Sequence, residues 1–382
     1  MPNLRLFACL LLGASLGIAP ALAQAETLPS ELGPLSVTPL LTGLEHPWGL
    51  AFLPDQQGLL LTERPGRLRW LNAAGELSAP LGGVPQVYAG GQGGLLDVAL
   101  AADFARERWV YLSYAEAGEG PYAGTAVGRG RLAQDNSRLE GFEVIFRQQP
   151  KLSTGAHFGS RLVFDRAGYL FITLGEHNQR LAAQDLGTLQ GKLVRLHADG
   201  RVPADNPFVG QAGARAEIWS YGHRNPQGAA LNPWTGQVWS HEHGPRGGDE
   251  INIPLAGKNY GWPIATHGVN YSYLAIPEAQ GKTVAGTEPP LHVWAKSPAL
   301  SGMAFYQGER FAPWQGNLFI GALAGQALLR LELQDGRVVH EERLLQELGA
   351  RIRDVREGPD GYLYVLTDAA NGQLLRLGLQ AQ

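Results

Sequence analysis

Six times along the chain a polar turn leads into a short, almost uninterrupted apolar run. The runs are GLLLTER from Gly58, RWVYLSY from Arg108, GYLFITLGE from Gly168, GQVWSHE from Gly236, GNLFIGAL from Gly316 and GYLYVLTD from Gly361. Apolar runs of this length, bounded by turn residues, predict strands. Several follow similar turns, FLPDQQG, FDRAG, LNPWTG and GPDG, whose Asp or Asn, Pro and Gly suit tight-turn dihedrals. Helical spacing of apolar residues is nearly absent; a weak instance over Glu341 to Leu348 predicts one short helix.

The runs recur at intervals of 50, 60, 68, 80 and 45 residues, near the length of a four-stranded sheet with its loops. This repetition predicts an all-β fold, a six-bladed β-propeller of four-stranded antiparallel blades, in which each small sheet buries both faces against its neighbours. A β-sandwich needs about seven strands, far fewer than the strand-like segments here. With no composition break after residue 30, residues 24–382 are read as one domain. In such a ring, loops at one end of the innermost strands converge on a central funnel, so residues distant in sequence meet there.

The N-terminus follows a different pattern. Arg5, the apolar run Leu6 to Ala19 and the small-residue step Ala21-Leu22-Ala23 predict a signal peptide, residues 1–23, cleaved on export to the periplasm or medium. The apolar segment is too short for a membrane span, so no stable membrane anchor is expected. Cys9, the one cysteine, lies inside this segment, so the mature chain has no disulfide and depends on its core. Removing Arg5 takes the formal charge from −4 to −5 with basic residues scattered. That balance argues against nucleic acid or an anionic surface as partner and favours a neutral small molecule. The 51 glycines and 25 prolines lie between apolar strands and among nine tryptophans, as turns of a packed β protein do.

Five loops carry polar residues that simple turns do not need. Gln92 is flanked by glycines in GGQGG, which lets a flat ligand approach the backbone. His157, in STGAHFGSRLVF, can accept a proton from an alcohol near neutral pH. Arg224 and Asn225, in YGHRNPQG, offer a cation and an amide to a developing oxyanion or a quinone oxygen. In HEHGPRGGDEINIPLAGKNYGWP, His241 and His243 would share a strand face, but no third nitrogen or sulfur ligand is well spaced for zinc. Asp249, Glu250, Asn259 and carbonyls near Gly244-Pro245 suit a hard cation such as Ca²⁺, although the acidic pair can equally cap turns. Arg351 and Arg353, two apart in RIRDV, would face one side of an extended chain and hold carboxylates. Read alone, each has an ordinary structural role open to it. The usual nucleotide and serine-hydrolase signatures are missing.

Taken in order, GQGGLLDVAL, HFGSRLVFD, SYGHRNPQG, EHGPRGGDEIN, NYGWP, SGMAFY and RIRDVREGPDGYLYVLTD resemble the pyrroloquinoline quinone (PQQ)-dependent sugar dehydrogenases, the soluble aldose and glucose dehydrogenase family. The likeness runs from HPWGLAF at His46 to Asp368. It implies oxidation of an aldose to a lactone, with hydride passing to PQQ and electrons to an external acceptor. His157 matches the family's general base. Gln92, Arg224, Asn225, Tyr271, Arg351 and Arg353 match cofactor contacts. Gly244 and Pro245 match backbone ligands of a Ca²⁺ touching the quinone, Glu250 and Tyr260 match a further calcium site, and Trp294 is placed like an aromatic lining the sugar site.

Two departures stand out. Ala156 replaces the aspartate that precedes the histidine in the glucose-specific branch, so an orienting carboxylate must come from elsewhere, with Glu176 as a candidate. Ala324, in GALAGQ, replaces a cofactor-binding lysine. Both imply broader aldose specificity, and the second weaker quinone affinity. A calcium-dependent lactonase propeller and a non-catalytic exported binding propeller are the alternatives. The first would need side-chain carboxylates deep in the channel; the second would retain only the remains of a quinone site.

Overall fold

The computed structural model describes residues 25–380, so the proposed signal peptide and Cys9 lie outside the described residues. Blades 1 to 5 span residues 47–71, 95–147, 162–221, 226–294 and 300–344, and blade 6 joins 352–379 to the N-terminal strands Glu26–Leu28 and Leu35–Leu44. The result is the expected six-bladed antiparallel propeller. Blades 2 to 5 each have four strands. Blade 1 has three, its outer edge met by the irregular segment Leu77 to Leu81 through a Leu71–Leu77 bridge and backbone hydrogen bonds from Ser78 and Leu81, while blade 6 has five.

Each apolar run forms the second strand of its blade: Leu59–Glu63, Trp109–Ala117, Leu170–Leu174, Val238–Glu242, Leu318–Ala322 and Leu363–Thr367. All but Trp109–Ala117 are buried at every position. A sheet covered on both faces has no solvent side, so these strands read as continuous rather than alternating apolar sequence.

Apolar clusters fill every gap between blades and close the ring. Leu60 and Leu68 meet Val98 and Leu112; Tyr111 and Val127 meet Ile172 and Val194; Phe171 and Leu193 meet Ala229 and Val238. Trp239 and Ile251 meet Met303 and Ile320, and Phe319 and Leu328 meet Val355 and Leu363. The last gap joins Leu366 and Leu374 to Leu50 and Leu61. Each Val, Leu, Ile, Phe or Met among them contributes about 1.5–3 kcal/mol by burial. Within blade 6, Leu35–Leu44 pairs antiparallel with Gly372–Leu379, Leu35 opposite Leu379 and Thr38 opposite Arg376, so the chain ends lock the ring.

The helix predicted near Glu341 does not form. Arg337–Leu344 is the outer strand of blade 5, paired with Ala327–Gln334, and only Gln346–Leu348 makes a single 3₁₀ turn. Leu344 and Leu345 with Leu348 have the spacing of a helix face, but the first two are buried in the cluster between blades 5 and 6 and Leu348 packs against it. Tertiary burial overrides the weak local preference.

Charged groups close the axis beneath the funnel. Arg161 lies 3.0 Å from Asp97 and 3.1 Å from Asp354, with its guanidinium 4.1 Å over the Trp48 ring. Arg356 stands 3.3 Å from each of the same aspartates. These axial carboxylates are therefore already paired with guanidinium groups, unlike the free ligand set that a lactonase channel would require.

Candidate active site

Antiparallel pairing places the start of each innermost strand beside the end of the second strand, at one end of the ring. Loops from blades 2, 3 and 4 meet there. His157 lies on the loop entering blade 3 in a left-handed conformation, φ 55°. Its backbone N–H donates to Gln92 Oε1 at 2.8 Å, and the Gln92 N–H donates to Gly155 O at 2.9 Å. Both loops come this close only because Gly91 and Gly175 lack side chains: a Cβ on Gly91 would overlap the Gly155 carbonyl, and one on Gly175 the His157 carbonyl.

His157 is 8 % exposed, and its ring Nδ1 lies 3.0 Å from Glu176 Oε2. An ionised carboxylate only accepts, so Nδ1 carries the proton and Nε2 keeps its lone pair as a base. Glu176 is fixed in turn. The same oxygen accepts the Asn178 N–H, and the Glu176 N–H donates to Arg224 O at 2.9 Å. The orienting carboxylate missing at Ala156 is therefore supplied from the end of the neighbouring strand.

His177 was not singled out in the sequence, although it adjoins Glu176. It is fully buried, with Nε2 2.8 Å from Gln148 Oε1 and its ring edge-on to Phe158 at 4.8 Å. Burial pushes its pKa down to about 4, so it is neutral and supports the His157 loop from below.

Arg224 and Asn225 immediately precede Pro226–Leu231, the first strand of blade 4. Arg224 Nη1 donates to Gly244 O at 2.8 Å and His243 O at 3.2 Å, and its backbone N–H donates to Glu242. Its buried Nε has no partner among the described residues, and the guanidinium lies 5.4 Å from the Trp262 ring. Asn225 Oδ1 accepts the Gly159 N–H at 3.2 Å, tying this turn to the loop of His157. Glu176, Arg180, Arg224, Pro245, Trp262 and Tyr271 line a pocket of about 520 Å³, with Tyr271 exposed on its rim. A buried guanidinium with an unused donor beside aromatic rings suits a planar, anionic ligand. The residues therefore fit the quinone that the sequence implies.

The cation candidates divide. Asp249 is spent on turns: it accepts from Gly244 N at 2.9 Å, Ala299 N at 2.8 Å and the Ser297 hydroxyl. Glu250 is not. Burial, with Glu242 nearby as a like charge, pushes its pKa up to about 8, and its one side-chain partner is Asn252 at 2.9 Å. The Asn252 Oδ1 has no partner among the described residues. Two neighbouring carboxylates and an unused amide oxygen form a donor set that a hard cation would satisfy. Tyr260 lines a cavity of about 170 Å³ with Glu250, but its hydroxyl already donates to Ile253 O at 2.6 Å and accepts from Leu255 N at 2.9 Å. Only its backbone carbonyl is left for a metal. Gly244 O, the other expected ligand, already accepts from Arg224. His241 and His243 do not form a metal pair: His241 is buried with neither ring nitrogen bonded, and His243 bonds Leu300 O. Among the described residues no group of three or more His, Cys, Asp or Glu side chains could hold a metal ion.

Gln92, His157 and Asn225 adjoin the pocket of about 520 Å³ through Glu176 and Arg224 without lining it, and three further expectations land elsewhere. Arg351 and Arg353 converge on Asp368, at 3.4 and 2.8 Å, and Arg353 Nη1 reaches Gln227 at 2.9 Å, so an internal carboxylate takes the place of a ligand's. Neither lines the pocket with Arg224. Trp294 is buried on the outer strand of blade 4, its indole N–H donating to Glu341 at 2.6 Å, and does not line the pocket. Ala324 sits exposed on the turn leaving the second strand of blade 5. Conversely, Arg180, Trp262, Asn270 and Glu278 line the pocket without having been anticipated. All but Arg180 belong to the long excursion between Asp249–Asn252 and His292–Trp294, which has no periodicity to mark it.

The family described as Glucose / Sorbosone dehydrogenase matches residues 44–376. The chain is 58% identical to the aldose sugar dehydrogenase YliI of Escherichia coli K12, over 96% of this chain and 95% of that protein. A crystal structure of a glucose dehydrogenase, 67% identical, superposes with a TM-score of 0.89, covering 91% of this chain and 99% of that one. The PQQ-bound aldose sugar dehydrogenase of Streptomyces coelicolor, 28% identical, gives a TM-score of 0.74 over 90% of this chain and 98% of that one. Match length, identity and fold agree, and the chain belongs to the glucose/sorbosone dehydrogenase family.

Proposed function

We propose that this chain is an exported, soluble PQQ-dependent dehydrogenase that oxidises aldose sugars at the anomeric carbon, with residues 24–382 acting as a single propeller domain. The observation that carries this reading is the histidine held by Glu176 through Nδ1, beside a pocket that Glu176 and Arg224 both line. Its relatives are named aldose sugar dehydrogenases, and one is a PQQ-bound form. Among the described residues no helix is long and apolar enough to cross a membrane.

When bound, the quinone supplies a two-electron acceptor for hydride leaving the anomeric carbon. His157 Nε2 takes the proton of the anomeric hydroxyl, and Glu176 stabilises the resulting imidazolium. Arg224 and Tyr271 would hold the cofactor from the pocket wall, Gln92 and Asn225 would fix the loop beside it, and Arg353, paired with Asp368 as Arg351 is, would offer only its unused Nε. The carbonyls of Gly244 and Pro245 would hold a Ca²⁺ that supplies Lewis acidity, once Arg224 shares the Gly244 oxygen, and Glu250 with the Tyr260 carbonyl would hold a second. The product is a lactone, and the electrons leave to an external acceptor.

The test is reconstitution of purified protein with PQQ and Ca²⁺, followed by sugar-dependent reduction of a redox dye over a panel of aldoses. His157→Ala is expected to lower kcat by about 10²–10⁴-fold, the usual contribution of a positioned base. Absence of turnover with every aldose overturns the reading. Quinone-independent lactone hydrolysis would indicate a hydrolase instead.

A further inference from the structure

We infer that Arg180 and Glu278 form a clamp that recognises vicinal hydroxyls of the sugar ring. The inference rests on the sugar-oxidising reading and assigns a substrate role to residues of the pocket that the chemistry at His157 does not use. Glu176, which holds His157, lines the same pocket as Arg180 and Glu278. Arg180 opens the 3₁₀ turn Arg180–Ala183 and reaches across to the blade 4 excursion. Its Nη2 donates to Asn270 Oδ1 at 2.6 Å, and its Nη1 lies 3.4 Å from Glu278 Oε2.

The two contacts differ in kind. The Asn270 bond is short and fixes where the guanidinium points. The Glu278 contact is long beside the roughly 2.7–2.9 Å of a well-formed charge-assisted bond. Both side chains are only partly covered, at 34% and 24% exposure. The pair therefore keeps a fork of N–H donors and a carboxylate acceptor facing the pocket, with no net charge. A ring diol presents a donor and an acceptor on each of two adjacent oxygens, which is the complement of this array. Leu181, largely exposed, and Trp262 add apolar surface for the C–H face of the ring.

The test uses the reconstituted holoenzyme and compares D-glucose with its 3-deoxy, 4-deoxy and 6-deoxy analogues for wild type, Arg180→Gln and Glu278→Gln. Losing a hydrogen bond to a charged group is expected to lower kcat/KM for glucose by about 10- to 100-fold. The loss should fall below about twofold for the analogue that lacks the clamped hydroxyl, because substrate and side chain then remove the same bond. Thermal unfolding checks that both variants fold; Glu278→Gln, which breaks only the longer contact, keeps the test open if Arg180→Gln does not. An equal loss on all four sugars, or none, overturns the clamp while leaving sugar oxidation standing. A wild type that turns over no sugar overturns the dehydrogenase reading and the clamp with it.

Discussion

His157 Nδ1 lies 3.0 Å from Glu176 Oε2, and that oxygen also accepts the backbone N–H of Asn178. One buried carboxylate thus sets the tautomer of the imidazole and the path of the loop behind it. Glu176→Gln keeps the size but lets an amide N–H face Nδ1, which favours the wrong tautomer. The expected outcome is a kcat lower by about 10²–10⁴-fold, with sugar KM and quinone affinity nearly unchanged. Dye-coupled rates alongside calorimetric PQQ binding check it; an unchanged kcat would show that Glu176 does not orient the base.

Asp368 supports the funnel floor from the last blade. Burial alone would raise its pKa, but Arg353, with His46 and Arg351, holds the carboxyl well below the usual carboxylate range. A depressed folded-state pKa stabilises the protein above the unfolded value near 3.9 and loses that contribution as pH falls toward the folded value. Asp368→Asn leaves Arg353 buried without its counter-charge and should cost about 3–5 kcal/mol at pH 7. Denaturant melts from pH 7 down to pH 3 should show the gap between wild type and variant constant above about pH 5 and narrowing below pH 4. A gap that widened on acidification would contradict the assignment.

How much of this was legible in the sequence follows from the range of each interaction. The six apolar runs were readable because a strand buried on both faces leaves a continuous local signal, and each proved to be a second strand. The pairing of Leu35–Leu44 with Gly372–Leu379 has no local signal and appears only in the folded ring. Gln92, His157, Arg224 and Asn225 stood out as polar residues on glycine-rich or proline-fixed turns. Arg353 was read as an anion holder because Asp368, its partner 15 residues on, reaches it only through the hairpin of blade 6. The helix expected near Glu341 failed for the opposite reason: a weak periodic pattern gave way to strand pairing.

Calcium should stabilise the protein through Glu250. The carboxyl is buried beside Glu242 and an unused amide oxygen of Asn252, so a cation would stabilise its ionised form in place of the proton that burial favours. At a hundredfold excess over Kd, binding adds about 2.7 kcal/mol, enough to raise the melting temperature by a few degrees in a chain of this size. Calcium added to chelator-treated protein should produce that rise in scanning calorimetry, and Glu250→Gln should lose most of it. Equal responses in both proteins would move the cation elsewhere.

Trp294 separates a structural role from a substrate-lining one. Its ring packs in the apolar cluster between blades 4 and 5, edge-on to His292 at 4.4 Å, and its indole N–H is taken by Glu341 at 2.6 Å. Nothing in that position faces the pocket of Arg180 and Arg224. Trp294→Ala should therefore open a cavity costing about 3–5 kcal/mol, while Trp294→Phe, which keeps most of the ring and loses the N–H, costs less. Sugar KM in the surviving folded enzyme should stay within about twofold of wild type, since uniform substrate binding is untouched. A sugar-lining indole gives the opposite split, a KM that rises while the melting temperature holds. Measuring both quantities on Trp294→Phe decides between them, because that variant is expected to fold in either case.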